Sequence, residues 1–152
     1  MVFNSSEELK MYILSKMQPT IIKSQEQIYQ IINRFVKEYY TEFSPELYER
    51  TYQLYRSLVK SDVRPTRNGY ETYIYFDLEA LDYAIKKING KQYQNKNHDE
   101  KYVLEQAMVG GTHGGYKASQ NTEIWNESMK ILNTEAYNIL KRMLISEGIP
   151  IK

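Results

Sequence analysis

Asn68-Gly69 is the pair of residues that most restricts how this chain can fold. Both residues tolerate the positive φ that a type I′ turn demands, and Asn-Gly between two β-patterned runs is the strongest short-range hairpin signal. Such runs flank it. Ser57 to Arg64 reads as a first strand and Tyr70 to Asp77 as a second, with Pro65 to Gly69 between them. The second run is aromatic and β-branched throughout. Alternation sends Tyr70, Thr72, Ile74 and Phe76 to one side and Tyr73 and Tyr75 to the other. A strand apolar on both sides is expected to be covered on both, here by the chain's own helices and by a neighbouring subunit.

Helical periodicity frames the hairpin. Ser5 or Ser6 is a fair N-cap for a helix to Lys16, with Glu7 and Glu8 in its first turn. Pro19 predicts a break or kink near Gln18. Ile21, Ile28, Ile31, Ile32, Phe35, Val36 and Tyr39 then recur at three- and four-residue spacing, predicting a long helix over Thr20 to Tyr40. Ser44-Pro45 predicts a short helix over Pro45 to Arg50, giving way to extended chain between Thr51 and Leu58. Leu78 to Ile88 reads as a short helix stopped by Asn89-Gly90, and Lys91 to Lys101 as a mobile polar loop. Tyr102 to Val109 suits a strand or a helix. A glycine-rich turn, Gly110 to Gly115, precedes a last helix that is capped by Asn121 or Thr122, runs to about Glu147 and is stopped by Gly148 and Pro150. The expectation is one α+β domain over residues 1–152, with a helical arm at 1–18 and a mobile loop at 89–101. Its long N-terminal helix, central antiparallel hairpin or small sheet, and long C-terminal helix packed on the sheet complete the fold.

Composition removes several function classes. The 152 residues include no cysteine, which excludes disulfides, thiolate zinc sites and a cysteine nucleophile. Twenty basic residues stand against nineteen acidic ones, so the chain lacks the global basic field of a dedicated DNA binder. No apolar run approaches the roughly 20 residues of a membrane span. Met1 to Leu14 lacks a signal-peptide pattern, so synthesis and use in the cytoplasm are expected. Tyrosine numbers 15 against 4 phenylalanines. An A+T-rich genome is one reading of that excess, since Tyr, Asn, Lys and Ile codons are A/T-rich. Tyrosine also suits surfaces that are wet first and become interfaces later.

No constellation supports catalysis. Gly110-Gly111-Thr112-His113-Gly114-Gly115 lacks the Lys-Ser/Thr that ends a phosphate loop, and no clean strand precedes it. His98 and His113 lie in separate loops, and His98-Asp99-Glu100 is a single run of adjacent residues without a scaffold for a cation. Ser57 and Ser61 have no Gly-x-Ser-x-Gly setting. Glu46/Glu49 and Glu79/Asp82 lie at the spacing of solvated helix faces. Neither enzyme activity, metal nor cofactor is expected. Basic residues do gather, as Arg56, Lys60, Arg64 and Arg67 and as Lys86, Lys87, Lys91 and Lys96. With Tyr52, Tyr55 and Tyr70 nearby, the first set has the pattern of a single-stranded nucleic-acid binder, diluted by Glu49, Asp62 and Glu71.

The step Thr51-Tyr52-Gln53-Leu54-Tyr55-Arg56-Ser57-Leu58, entered from a long amphipathic helix and followed by a hairpin and a final helix, resembles the tail-completion, or head–tail joining, proteins of long-tailed bacteriophages. Thr51, Leu54, Ser57 and Leu58 hold the positions of that family's Thr-x-x-Leu-x-x-Ser-Ile/Leu step, which opens the first strand of a small sheet. Tyr52 stands where the family often has glycine. His113-Gly114-Gly115-Tyr116 with Ile124 to Ser128 is similar to neck proteins of phages of low-G+C Gram-positive hosts. The resemblance spans roughly Ile21 to Leu144. It implies a virion subunit, assembled in the host cytoplasm, that forms a homo-oligomeric ring between the connector or stopper and the tail tube. DNA passes through such a ring's lumen with non-specific contact, and no membrane is involved. The interface expected from the residues is Tyr52, Tyr55, Tyr70, Tyr73 and Tyr75, with Arg64, Arg67 and Asn68 reaching a neighbour or the lumen. The competing expectation is a small phage-encoded protein that binds nucleic acid or a host protein.

Overall fold

In the computed structural model the described residues are 2–41, 52–81, 85–88, 91–94, 101, 104–105, 108, 112–113, 116–117, 123–149 and 151. Ser5 opens the first helix, α1 (Ser6–Thr41). Its hydroxyl accepts the Glu8 N–H at 3.1 Å, while the Glu8 carboxylate reaches back to the Asn4 N–H at 2.8 Å. This reciprocal capping satisfies donors that a helix start leaves unpaired. The expected break at Pro19 does not occur: α1 runs through it without interruption. A proline here removes the hydrogen bond to the Ser15 carbonyl. Ser15 is exposed, so water can take that carbonyl.

The chain is α+β. After α1 come α2 (Gln53–Ser57), β1 (Leu58–Lys60), β2 (Arg64–Thr66), β3 (Gly69–Glu71), β4 (Ile74–Phe76), a 3₁₀ turn (Leu78–Ala80), β5 (Ile85–Ile88), β6 (Lys91–Gln94), β7 (Thr112–His113), β8 (Tyr116–Lys117) and α3 (Ile124–Ser146). The strands pair as β1–β4, β2–β3, β5–β6 and β7–β8, each a two-stranded sheet. Extended backbone begins at Leu58, the far end of the expected interval. The short helix expected over Pro45 to Arg50 lies outside the described residues.

Two compact units form. The first comprises Met1–Gln30, Lys60–Ile74 and Ile131–Lys152. Thr20, Ser24, Gln25 and Ile139 are its buried residues. Tyr12 donates to the Gly148 carbonyl at 3.4 Å, and Lys23 pairs with Glu147. Gly148, at φ 86°, ends α3 as the sequence predicts. The Ile149 N–H reaches the Leu144 carbonyl and the Gly148 N–H the Ile145 carbonyl, both at 3.0 Å, which is a Schellman stop.

The second unit comprises Ile31–Val59 and Tyr75–Lys130. Phe35, Val36, Leu54, Leu58, Leu81 and Ile124 form its apolar core. Leu54, Ser57 and Leu58 are all buried, and the Ser57 hydroxyl donates to the Leu54 carbonyl at 2.8 Å. Three residues of the step singled out in the sequence are therefore core residues, and Ser57 is spent on its own helix.

Two readings of the central segment need correction. Leu78 to Ile88 does not form a helix up to Asn89-Gly90. After the 3₁₀ turn, Ile85–Ile88 pairs antiparallel with Lys91–Gln94, with Ile88 opposite Lys91. The start of the expected mobile loop is thus a strand, while residues 95–100 lie outside the described residues. Lys101, Leu104, Glu105 and Met108 are helical, which selects the helix at these positions of Tyr102 to Val109.

Candidate functional site

The expected hairpin is present with its turn displaced by one residue. Arg64 faces Glu71, Pro65 faces Tyr70 and Thr66 faces Gly69, so Arg67-Asn68 make the turn, not Asn68-Gly69. Neither Asn68 nor Gly69 has positive φ, so the type I′ expectation fails. Gly69 serves another purpose. A Cβ there would come within 3.3 Å of the Met17 Cε, so the missing side chain lets the strand lie close on α1. With a two-residue turn the closing pair is hydrogen-bonded, and Pro65–Tyr70 is then the pair whose backbone groups point out of the ladder. That is where a proline costs no ladder bond.

The two expected strands are each cut in two, and the cut is a bulge. The Ser61 N–H donates to the Tyr73 carbonyl at 2.9 Å, which sets Ser61 opposite Tyr73. Since Arg64 faces Glu71, Asp62 and Val63 together stand opposite the single residue Thr72. This two-against-one count defines a β-bulge. A polar knot holds it. Gln25 of α1, only 7% exposed, donates its amide to the Ser61 carbonyl at 2.9 Å and to the Thr72 hydroxyl. The Tyr73 N–H, deprived of that carbonyl, goes to the Ser61 hydroxyl at 2.8 Å.

The bulge decides where the charges point. Lys60 and Arg64 are four apart and would share one side of an uninterrupted strand. The Lys60 ammonium instead pairs with Glu26 of α1 and lies 4.8 Å over the Tyr29 ring. Hydrogen bonds from Lys60, then from Gln30, hold the Glu26 carboxyl below its ordinary range. Arg64, past the bulge, joins the side of Glu71 and Tyr73. Arg64, Pro65, Thr66, Arg67 and Asn68 are all exposed.

The returning arm alternates as expected. Tyr70, Thr72, Ile74 and Phe76 are half-buried, while Glu71, Tyr73 and Tyr75 are exposed. Tyr73 is 58% and Tyr75 50% exposed, so none of the described residues covers their side of the strand. In the second unit Tyr52 and Tyr55 are exposed too. Tyr52 sits at φ 55°, ψ 23°, a left-handed conformation rare outside glycine. Its ring lies 5.0 Å from that of Tyr40, and the Lys37 ammonium lies 5.9 Å over the Tyr55 ring. Tyr52 thus holds a backbone conformation that favours glycine.

Of the candidates for chemistry, Thr112 and His113 pair with Lys117 and Tyr116 in a short hairpin. His98 lies outside the described residues. Among the described residues no cluster of three His, Asp or Glu side chains is placed to hold a metal. Among them also, no helix is long and apolar enough to cross a membrane. Sequence reasoning missed Gln25, whose polar side chain on a helix carried no signal of a partner 36 residues away.

The YomN family model matches residues 5–147. The chain belongs to the YomN family. That family is phage-derived, so this is a phage-related protein. No curated protein and no solved structure matches it.

Proposed function

We propose that this YomN-family protein is a non-catalytic virion component of the head–tail joining or tail-completion type. It forms a homo-oligomeric ring between the connector or stopper and the tail tube. The observation that carries the reading is the bare tyrosine side of the central strand. Tyr73 and Tyr75 stand half exposed or more, while the residues between and beside them pack inward. Large rings held on a rigid strand give contact area at low entropic cost, which suits a surface made to be covered. The phage-derived family and the resemblance of Thr51 to Leu58 to the opening of tail-completion sheets support the same reading. Arg64, Arg67 and Asn68, exposed at the hairpin tip, are the residues that reach a neighbour or the lumen.

Sedimentation velocity over a wide concentration range tests the proposal. The wild type is expected to assemble, and Tyr73→Ser/Tyr75→Ser to weaken assembly at least tenfold with unchanged far-UV circular dichroism. A wild type that stays monomeric throughout, and also fails to co-sediment with tail tubes, overturns it.

A further inference from the structure

The hairpin is charged oppositely on its two arms. Leu58 to Arg67 carries Lys60, Arg64 and Arg67 against Asp62, whereas Gly69 to Ala80 carries Glu71, Asp77 and Glu79 and no basic residue. Lys60 is consumed within the fold by Glu26. Arg64 and Glu71 are opposite each other in register, yet no ion pair joins them, and Glu71 instead accepts a hydrogen bond from the Tyr73 hydroxyl at 3.2 Å. Among the described residues Arg67 has no ion pair either, and it is fully in the turn. A basic tip and a tyrosine-lined arm bearing Glu71 are thus both presented outward on one hairpin, and the 3₁₀ turn that follows carries the exposed Glu79, Asp77 being spent on capping that turn. Pro65 has no N–H to offer at the outer edge of β2, which disfavours strand addition on that edge.

We propose that a second copy of this chain docks head-to-tail on this hairpin, its Arg64–Arg67 tip against the Glu71–Tyr73 arm of the first. The inference rests on the self-assembly proposed above and specifies its polarity. Pairing tip with tip sets Arg64 and Arg67 against their own kind, and such like-charge contact is strongly disfavoured. Pairing tip with arm brings opposite charges together, although Arg64 and Glu71 adjoin on one side of the hairpin. Made one way, such a contact propagates by rotation and closes into a ring, whereas a two-fold contact, in which the two copies exchange tip and arm reciprocally, stops at a dimer.

The test uses Arg64→Glu/Arg67→Glu, Glu71→Lys/Glu79→Lys and the fourfold variant combining them, each first shown to keep the wild-type circular dichroism. Sedimentation velocity is run at concentrations where the wild type assembles. Each double variant alone is expected to associate at least tenfold more weakly. Their equimolar mixture is expected to recover assembly, since tip and arm are complementary again in alternation, and the fourfold variant to recover it alone. Either double variant assembling as tightly as wild type, a mixture that stays monomeric, or a wild type that assembles no further than a dimer overturns head-to-tail docking while leaving self-assembly standing. A monomeric wild type overturns self-assembly and this inference with it.

Discussion

Tyr52 shows how one side chain is held against its own backbone preference. A left-handed conformation costs a non-glycine residue roughly 1–2 kcal/mol, and a well-placed aromatic pair returns about 0.5–1.5 kcal/mol. Tyr52 meets the first condition at φ 55° and the second through Tyr40. Tyr52→Gly removes both terms, so its urea-unfolding free energy is expected within about 1 kcal/mol of wild type. Tyr52→Val keeps the strained backbone, worsens it by β-branching and loses the ring, and is expected to cost about 2 kcal/mol. Glu26 is the second informative residue. Its carboxyl is held low in the folded chain by Lys60 and then Gln30. A depressed carboxylate lends stability above its unfolded pKa and loses it as pH falls through the folded value. Lys60→Met is expected to move the Glu26 titration upward toward the ordinary carboxylate range, read from its side-chain carbonyl carbon by NMR. An unmoved titration counts against the ion pair.

Among the elements, the bulge and the long helix carry the strongest expectations. Gln25 fills acceptors that the interrupted ladder leaves inside the first unit. Buried polar groups stripped of a partner cost about 1–3 kcal/mol, so Gln25→Leu is expected to destabilise by about 2 kcal/mol in urea. Pro19 removes a helical hydrogen bond, and a proline within a helix costs about 3 kcal/mol against alanine. Pro19→Ala is therefore expected to raise stability by about 1–3 kcal/mol. The elements also show what a sequence conceals. The α+β layout, both long helices, the Gly148 stop and the alternation of β4 were legible because each depends on residues a few positions apart. The bulge was not, because its cause is a glutamine on another element. Asn89-Gly90 misled for a related reason. Asn-Gly ends helices and turns hairpins alike, and Ile85-Lys86-Lys87-Ile88 offers neither clean alternation nor a strong helical stripe. The exposure of Tyr73 and Tyr75 was legible as alternation, whereas Tyr70 is half-buried with the inward residues and Gly69 serves close approach to α1.

Over the whole molecule, α1 and α3 each pass through both compact units. Helices shared in this way favour unfolding in one step. The single tryptophan, Trp125, lies in the second unit and Gln25 in the first. Gln25→Leu is expected to lower the melting midpoint seen by Trp125 fluorescence as much as that seen by circular dichroism. Two separate midpoints rule out such coupling.

The bulge at Asp62-Val63 also gives the hairpin an unusual kind of heredity. Loss of one codon there would remove the bulge and leave Lys60 and Arg64 three apart on an uninterrupted strand, still on opposite sides, with Arg64 still facing Glu71. Most single-residue changes alter what a surface is made of. A deletion at this point would leave both the tip and the way it faces unchanged, so this arm can lose one residue while its outward surface is inherited intact.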